Sequence, residues 1–496
     1  MKDDDLLSAP SDQQYVSLER TASTYTPLAT YNLPKGENRH YQQQYADMYF
    51  ARLAQLKPAV EKLASEAWAE FEIAGETALR KDRVLDVRQG ELCWVAGTVY
   101  MEMPLKPNVL EDIGKEHWIA APPPRIKYDS GIGLGIMLED ESGRLRLTGG
   151  FLHECLLVTG AIVAVVGTEN KDGDFEVLDL RVPDLPRQPV RWELEDGNGA
   201  LNGKATQEVR PTAGKVAIVS GLAISGDEGD TLLLDLLLEY LLGECAEPSM
   251  QGDAAKVSRL IIAGNSLSNS SPIPTREEVV AASKKSGRKI YGYDSSSYNA
   301  APTDRFDQWL AALLPSMPVT LLPGEQDPTS TSLPQPPIHA AMFPHARAYM
   351  SLPQAREDAS WFDSTTNPAE FNVDGFRFLG TGGQPVDDVY KYISDCEERL
   401  EMMEAMLRWR LTAPTAPDTL WCYPFQDGDQ FVMKECPHIF FVGNQPKFET
   451  AVIEGPVGQQ VRLVAVPKFR DTGELVIVDV ETLVPEVVKF EIFEEG

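Results

Sequence analysis

The sequence predicts a multidomain protein of mixed α+β and α/β class, with a small closed β-barrel followed by a larger body in which strands and helices alternate. Three observations carry this. The chain has 496 residues, too many for one hydrophobic core, so two or three domains are expected. Residues 81–185 read as short apolar bursts broken by Gly, Asn and Asp turns, as in a small barrel. From residue 214 onward, apolar strands that end in a Gly-containing turn alternate with apolar helices.

Taken in order, residues 1–38 are rich in Asp, Ser, Thr, Pro and Gln and lack periodicity, so they are expected to form a disordered arm. Residues 39–80 are an N-terminal helical segment. Tyr45, Met48, Tyr49, Leu53, Leu56, Val60 and Leu63 recur at three- and four-residue steps, giving a helix one apolar face and a kink at Pro58. Within 81–185, "VLDV", "LCWVAGTVYM", "GIMLEDESGRLRLTG", "LVTGAIVAVVGTEN" and "GDFEVLDLRVPD" read as strands, with one helix near Val109 to His117. This is the pattern of a barrel such as an OB-fold. Residues 186–213 form a polar, Gly-rich linker. In residues 214–496 the strands are "KVAIVSGLAI", "VSRLIIAGNSLS", "PVTLLPGEQDP", "FRFLGTGG", "HIFFVGNQP", "QVRLVAVPKF" and "ELVIVDV". The helices are "TLLLDLLLEYLL", "DRFDQWLAALL", "QPVDDVYKYI" and "SDCEERLEMMEAMLRWRL".

Composition narrows the function. A formal charge of −30, from 75 acidic against 45 basic side chains, argues against a protein whose main task is gripping phosphate backbones, since such affinity comes from Lys and Arg displacing counterions. Between residues 82 and 183 there are 17 Asp and Glu against 10 Lys and Arg, which favours a structural or protein-binding barrel over a single-strand-binding one. The six cysteines, at 93, 155, 245, 396, 422 and 436, form no C-x-x-C pair and are expected to be reduced, buried thiols. The start of the chain lacks a secretory pattern and no apolar run reaches about 20 residues, so an intracellular protein without a membrane span is expected.

Four strands end in a Gly and a polar residue: Ser220-Gly221, Gly264-Asn265, Gly324-Glu325 followed by Gln326 and Asp327, and Gly443-Asn444. In α/β sheets, ligand-binding groups gather at such carboxyl ends. The order and spacing resemble the calcineurin-like metallophosphoesterases. These carry D-x-H, G-D, G-N-H-[DE] and G-H-x-H at successive strand ends, because two divalent metals need carboxylate and imidazole ligands. Matched residue by residue, nearly every ligand is absent here. Ser220-Gly221 stands for D-x-H, Asn265 for the Asp of G-D, Glu325-Gln326-Asp327 for N-H-D, and Asn444 for the first His of G-H-x-H. The resemblance implies a degenerate pocket with no catalytic residue, no metal and no cofactor. Of the six histidines, at 40, 117, 153, 339, 345 and 438, three could in principle gather one ion with Asp327: His339, His345 and His438. The favoured reading is packed or surface imidazoles.

The stretches "VSGL" (219–222), "LIIAGNSLS" (260–268), "PGEQDPTSTSLPQPPIHAAMFP" (323–344), "FRFLGTGGQPVDDVYKY" (376–392), "LTAPTAPDTLWCYPF" (411–425) and "ECPHIFFVGNQPKF" (435–448) closely resemble the B-type, second subunits of replicative DNA polymerases, of the delta type. "RHYQQQYADMYFARLAQLKP" (39–58) and "GTVYMEMPLKP" (97–107) extend the likeness. The resemblance implies an OB-fold joined to an inactive phosphodiesterase β-sandwich flanked by helices. It further implies a nuclear, non-catalytic scaffold in DNA replication and repair synthesis. Such a scaffold holds the cysteine-rich C-terminal domain of the delta catalytic subunit and the N-terminal domain of a third accessory subunit, which reaches the sliding clamp. Little direct DNA binding is expected. Archaeal relatives keep the metal ligands and act as nucleases. Two alternatives stay open: a divergent metal-dependent phosphodiesterase or nuclease, and a single-stranded DNA-binding module built on the barrel.

Overall fold

The computed structural model describes residues 18–36, 39–40, 45–73, 75–107, 126–128, 135–193, 214–225, 231–244, 248–268, 300–350, 361–393 and 398–492. The helix expected near Val109 to His117, most of the 186–213 linker, and residues 1–17 of the expected arm lie outside them.

Helix α1 (Tyr45–Ala67) buries Met48, Leu53, Leu56, Val60 and Ala64 along one face, as the three- and four-residue spacing requires. Its apolar face packs on the barrel. After a short hairpin, β2 (Glu72–Ile73) with β3 (Glu76–Thr77), the barrel is built from β4 (Leu79–Lys81), β5 (Leu92–Glu102), β6 (Gly135–Glu139), β7 (Arg144–Thr148), β8 (Ile162–Glu169) and β9 (Phe175–Arg181). Strand β5 is long enough to pair with β8 from Leu92 to Thr98 and with β6 from Thr98 to Glu102, and β7–β9–β8 completes the ring. Closure leaves little free edge. The expected strand "VLDV" is instead a 3₁₀ turn, Val84–Asp86. The Asp140 carboxylate accepts from Val84 N at 2.8 Å, and this local side-chain bond replaces a strand ladder.

The second body contains β10 (Lys215–Val219), α2 (Thr231–Leu242), α3 (Pro248–Lys256), β11 (Val257–Ala263), α4 (Ala301–Leu313), β12 (Val319–Leu322), β13 (Phe362–Ser364), β14 (Ala369–Val373) and β15 (Phe376–Thr381). It continues with α5 (Gln384–Tyr392), α6 (Arg399–Arg408), β16 (Ile439–Gln445), β17 (Glu449–Glu454), β18 (Gln460–Pro467), α7 (Phe469–Thr472), β19 (Glu474–Asp479) and β20 (Pro485–Lys489). One six-stranded sheet runs β13-β12-β11-β10-β19-β20; the other runs β1-β14-β15-β16-β18-β17, where β1 is Tyr25–Pro27. The sheets pack face to face through a shared core in which Ile218, Ile261 and Leu322 meet Phe371, Phe441 and Val464. Helices α2 and α4 cover the outer face of the first sheet with Leu237, Phe306 and Leu310. Helices α5 and α6 cover the second, and their Val386, Val389 and Met403 belong to the same apolar core as the barrel's Val95 and Val165. Strand β11 is buried at every residue, which explains its unbroken apolar sequence.

The described part of the arm, residues 18–36, is ordered rather than disordered. Strand β1 pairs antiparallel with β14, and Tyr25 OH donates to Asp363 Oδ2 at 2.5 Å. The Arg20 guanidinium donates to the carbonyls of Leu241, Ala254 and Val257. The first two lie in the last turns of α2 and α3, where helix carbonyls have no partner of their own. The segment also buries Tyr25 and Tyr31 in two of the apolar cores. Polar bonds to carbonyls and to Asp374 add to this hold.

Among the described cysteines none forms a disulfide; Cys93, Cys422 and Cys436 are buried and Cys155 is half-buried. Burial pushes the Cys93 thiol up to about 11 and those of Cys422 and Cys436 up to about 12. No described helix is long and apolar enough to cross a membrane.

Candidate functional site where the strand ends meet

The carboxyl ends of β10, β11, β12 and β15, with the second half of β16, converge between the two sheets. Glycines make this possible. A Cβ on Gly264, whose φ is +86°, would stand 3.0 Å from the Gly382 Cα and 3.1 Å from the Gly324 Cα. A Cβ on Gly443 would stand 2.0 Å from the Ala263 carbonyl oxygen. Backbone therefore fills the centre of the site, and Gly221 N donates to Gly264 O at 2.9 Å across it.

The polar residues singled out from the sequence occupy three environments. Ser220 and Asn444 are buried. Asn444 N donates to Ser220 Oγ at 2.8 Å, and Asn444 Nδ2 donates to Gly382 O at 2.8 Å and Ala263 O at 3.3 Å. These bonds fix the amide orientation, with its oxygen turned toward Gly221. Asp327 is also buried, and both its oxygens face backbone: Leu267 N donates to Oδ1 at 3.0 Å and Gly324 N to Oδ2 at 2.7 Å. Burial raises its carboxyl above the usual range and outweighs the N–H donors around it. Asn265 is half-buried and accepts from Gln326 N at 3.0 Å. Glu325 and Gln326 are exposed at the rim.

Sequence reasoning missed the residues that complete this centre. Asn367 Oδ1 accepts from Thr381 Oγ1 and Gly382 N, while its Nδ2 donates to the side-chain oxygens of Gln335 and Gln384. Gln335 Nε2 donates to Gly324 O at 3.1 Å. The only local signal was an amide beside proline, in "PQPP" and "TNP". The Gly380–Gly383 run serves this packing: Gly383, at φ +109°, stands at the start of α5.

The histidines do not join Asp327. His339 Nδ1 accepts from Ala341 N, His345 Nδ1 lies 2.6 Å from Asp307 Oδ2, and His438 Nδ1 accepts from Arg377 N. Among the described residues no group of three or more His, Cys, Asp or Glu is placed to hold a metal ion. A small cavity of about 240 Å³ adjoins the centre, lined by Asn444 and Gln445 with Asp387, Arg399, Lys468 and Asp471. Among the described residues, what the strand ends bring together is a set of amides, the hydroxyls of Ser220 and Thr381, and one buried carboxyl already committed to backbone. Chemically this ties two sheets together. It lacks the clustered carboxylates and imidazoles that activate water on a metal pair.

Comparison with known proteins adds an independent line. Residues 44–180 match the family model for the DNA polymerase delta subunit OB-fold domain, and residues 216–450 match that for the DNA polymerase alpha/epsilon B subunit. The chain is 33% identical over 483 residues to the DNA polymerase delta small subunit of Saccharomyces cerevisiae, covering 92% of this chain and 91% of that one. It is 33% identical to the protein of the same name from Oryza sativa subsp. japonica, over 95% and 99% of the two chains. It is 35% identical to that of Arabidopsis thaliana, over 90% and 91%. The chain belongs to the DNA polymerase delta small-subunit family. This membership makes it an accessory polymerase subunit of DNA replication. The two matched regions of this small-subunit chain contain α1 with the barrel and all the converging strand ends. A likeness to the DNA polymerase II small subunit of Archaeoglobus fulgidus is more distant, 22% over 226 residues and 45% of this chain.

Proposed function

We propose that this chain is a non-catalytic scaffold of the nuclear DNA polymerase delta holoenzyme, with a calcineurin-like phosphodiesterase body whose metal site has been replaced by structure. It holds the C-terminal domain of the catalytic subunit and the N-terminal domain of a third accessory subunit, and reaches the sliding clamp only through that third subunit. The observation that carries this reading is the strand-end centre. There, glycine backbones pack closely and the Asn367, Gln335 and Gln384 amides bond one another, which supports a centre built for packing rather than for a metal pair. The acidic balance, −30 overall, supports protein partners over direct DNA contact.

Co-expression of the chain with the C-terminal domain of the catalytic subunit, followed by affinity purification, tests the scaffold. A stable complex is expected, and a chain that elutes alone would sink the idea. A manganese titration with a generic phosphodiester substrate tests the loss of catalysis. No turnover is expected; turnover that Asp327→Ala abolishes would overturn the non-catalytic part.

A further inference from the structure

The cavity of about 240 Å³ beside the strand-end centre borders two of the strand ends that the calcineurin-like pattern would use for metal. Lys468 forms a β-bridge with Ser220, the first residue standing for D-x-H. A Cβ on Gly221 would meet the Lys468 Cβ at 3.0 Å and Asn444 Oδ1 at 2.8 Å. Lys468 and Asn444 both line the cavity, and an ammonium and an amide are not a donor set for a metal pair. Resting on the inactive-phosphodiesterase reading above, we propose that Lys468 and Arg399 take the electrostatic place that metal ions hold in that pattern, and so keep divalent cations out.

The cavity is balanced by its own side chains. Its lining holds two carboxylates, Asp387 and Asp471, against two cations, Arg399 and Lys468. Arg399 Nη1 lies 3.0 Å from Asp387 Oδ1, and its guanidinium carbon stands 4.0 Å from the centre of the Tyr390 ring. The Arg399 side chain is almost wholly buried, which makes this charge a fixed part of the wall. Lys468 is exposed at the mouth. Burial raises the Asp387 carboxyl, while Arg399, Lys391 and Lys468 favour its anion and Glu325 opposes it. Lys468 after β18 and Glu325 after β12 thus act on the same carboxylate from two strand ends. A bound divalent ion is normally the largest charge in its site and sets the state of the groups around it. It needs several oxygen ligands that together carry negative charge. Here it would meet two resident positive charges instead, and their repulsion strengthens where water is thinned out. The loss of catalysis is on this account a rebalancing of charge as well as a loss of ligands.

The test is manganese binding to the full chain, read from the electron paramagnetic resonance signal of the free ion at about 0.15 M salt, where diffuse surface attraction is screened. The native chain is expected to show no saturable site that Asp387→Asn removes. Lys468→Glu exchanges the exposed cation for a third carboxylate and should bind manganese at least about tenfold more tightly than Lys468→Gln. Adding Asp387→Asn to Lys468→Glu should abolish the gain. Arg399 is left in place throughout, so the buried start of α6 is not disturbed. If Lys468→Glu binds no better than the native chain, or if its binding survives Asp387→Asn, the charge-replacement proposal fails while the non-catalytic reading stands. A saturable site in the native chain that Asp387→Asn removes would overturn both.

Discussion

His438 illustrates how much one buried side chain can carry. Burial, with Arg377 and Arg191 nearby, lowers its pKa to about 4. The unfolded chain takes up a proton near pH 6.5 that the folded one refuses, so stability is lost as pH falls from about 6.5 to about 4 and no further below that. Between pH 7.5 and 5 this amounts to about 2 kcal/mol. Urea titrations of the native chain and of His438→Asn, which keeps an acceptor for Arg377 N, should differ by that amount; parallel pH profiles would refute the assignment. At the strand ends, Gly443→Ala forces a methyl to 2.0 Å from a backbone oxygen. A loss of more than about 3 kcal/mol, or failure to fold, is expected in chemical denaturation. Asp327→Asn is expected to cost about 1–3 kcal/mol, since an amide NH₂ must then face a backbone N–H. The sequence announced these positions as Gly-plus-polar turns, but not their partners. Gln335 and Asn367 are 32 residues apart, and no periodicity links two amides across a cleft.

At the scale of elements, continuous apolar runs were readable and short polar ones were not. Strand β11, buried throughout, stands out in any sequence. Strand β1 has one buried residue in three, so its composition reads as disorder. Its hold comes from two buried tyrosines, Tyr25 and Tyr31, and from long-range polar bonds, of which the Arg20 fork onto three carbonyls is the clearest. Arg20→Ala should lower stability by about 1–3 kcal/mol, because buried helix-end carbonyls lose their donors. Hydrogen exchange should then show faster exchange in β1 and β14 than in β11. Uniform exchange across these strands would mean that the segment is decoration.

The molecule as a whole is joined by a buried ion pair. Arg52 of α1 meets Asp429 at 2.5 Å, with both side chains almost inaccessible, and Arg52 Nη1 also donates to Pro414 O at 2.6 Å. Helix α1 is thereby bound to the barrel on its apolar face and to the second body through a charge. Removing one partner, as in Asp429→Ala, strands a buried guanidinium and should cost about 3–5 kcal/mol. The double variant Arg52→Met, Asp429→Leu should recover most of it, as measured by thermal or denaturant unfolding. A double variant no better than the single one would show that the pair is not the coupling element. The amphipathic period of α1 was plain in the sequence, but an arginine at a core position of that period reads as a solvated interruption until its partner, 377 residues away, is placed.

The same separation applies to the N-terminal segment and bears on how the protein is made. Thr24 is 350 residues from the Asp374 carboxylate that receives its N–H. At ribosomal rates of about 5–20 residues per second, that receptor appears roughly 20–70 s after the segment has left the exit tunnel. The barrel can close within that interval, but both six-stranded sheets must wait. During synthesis the earliest residues are therefore kept waiting and seated among the last, so a pause or truncation before residue 374 leaves an arm with no edge to join.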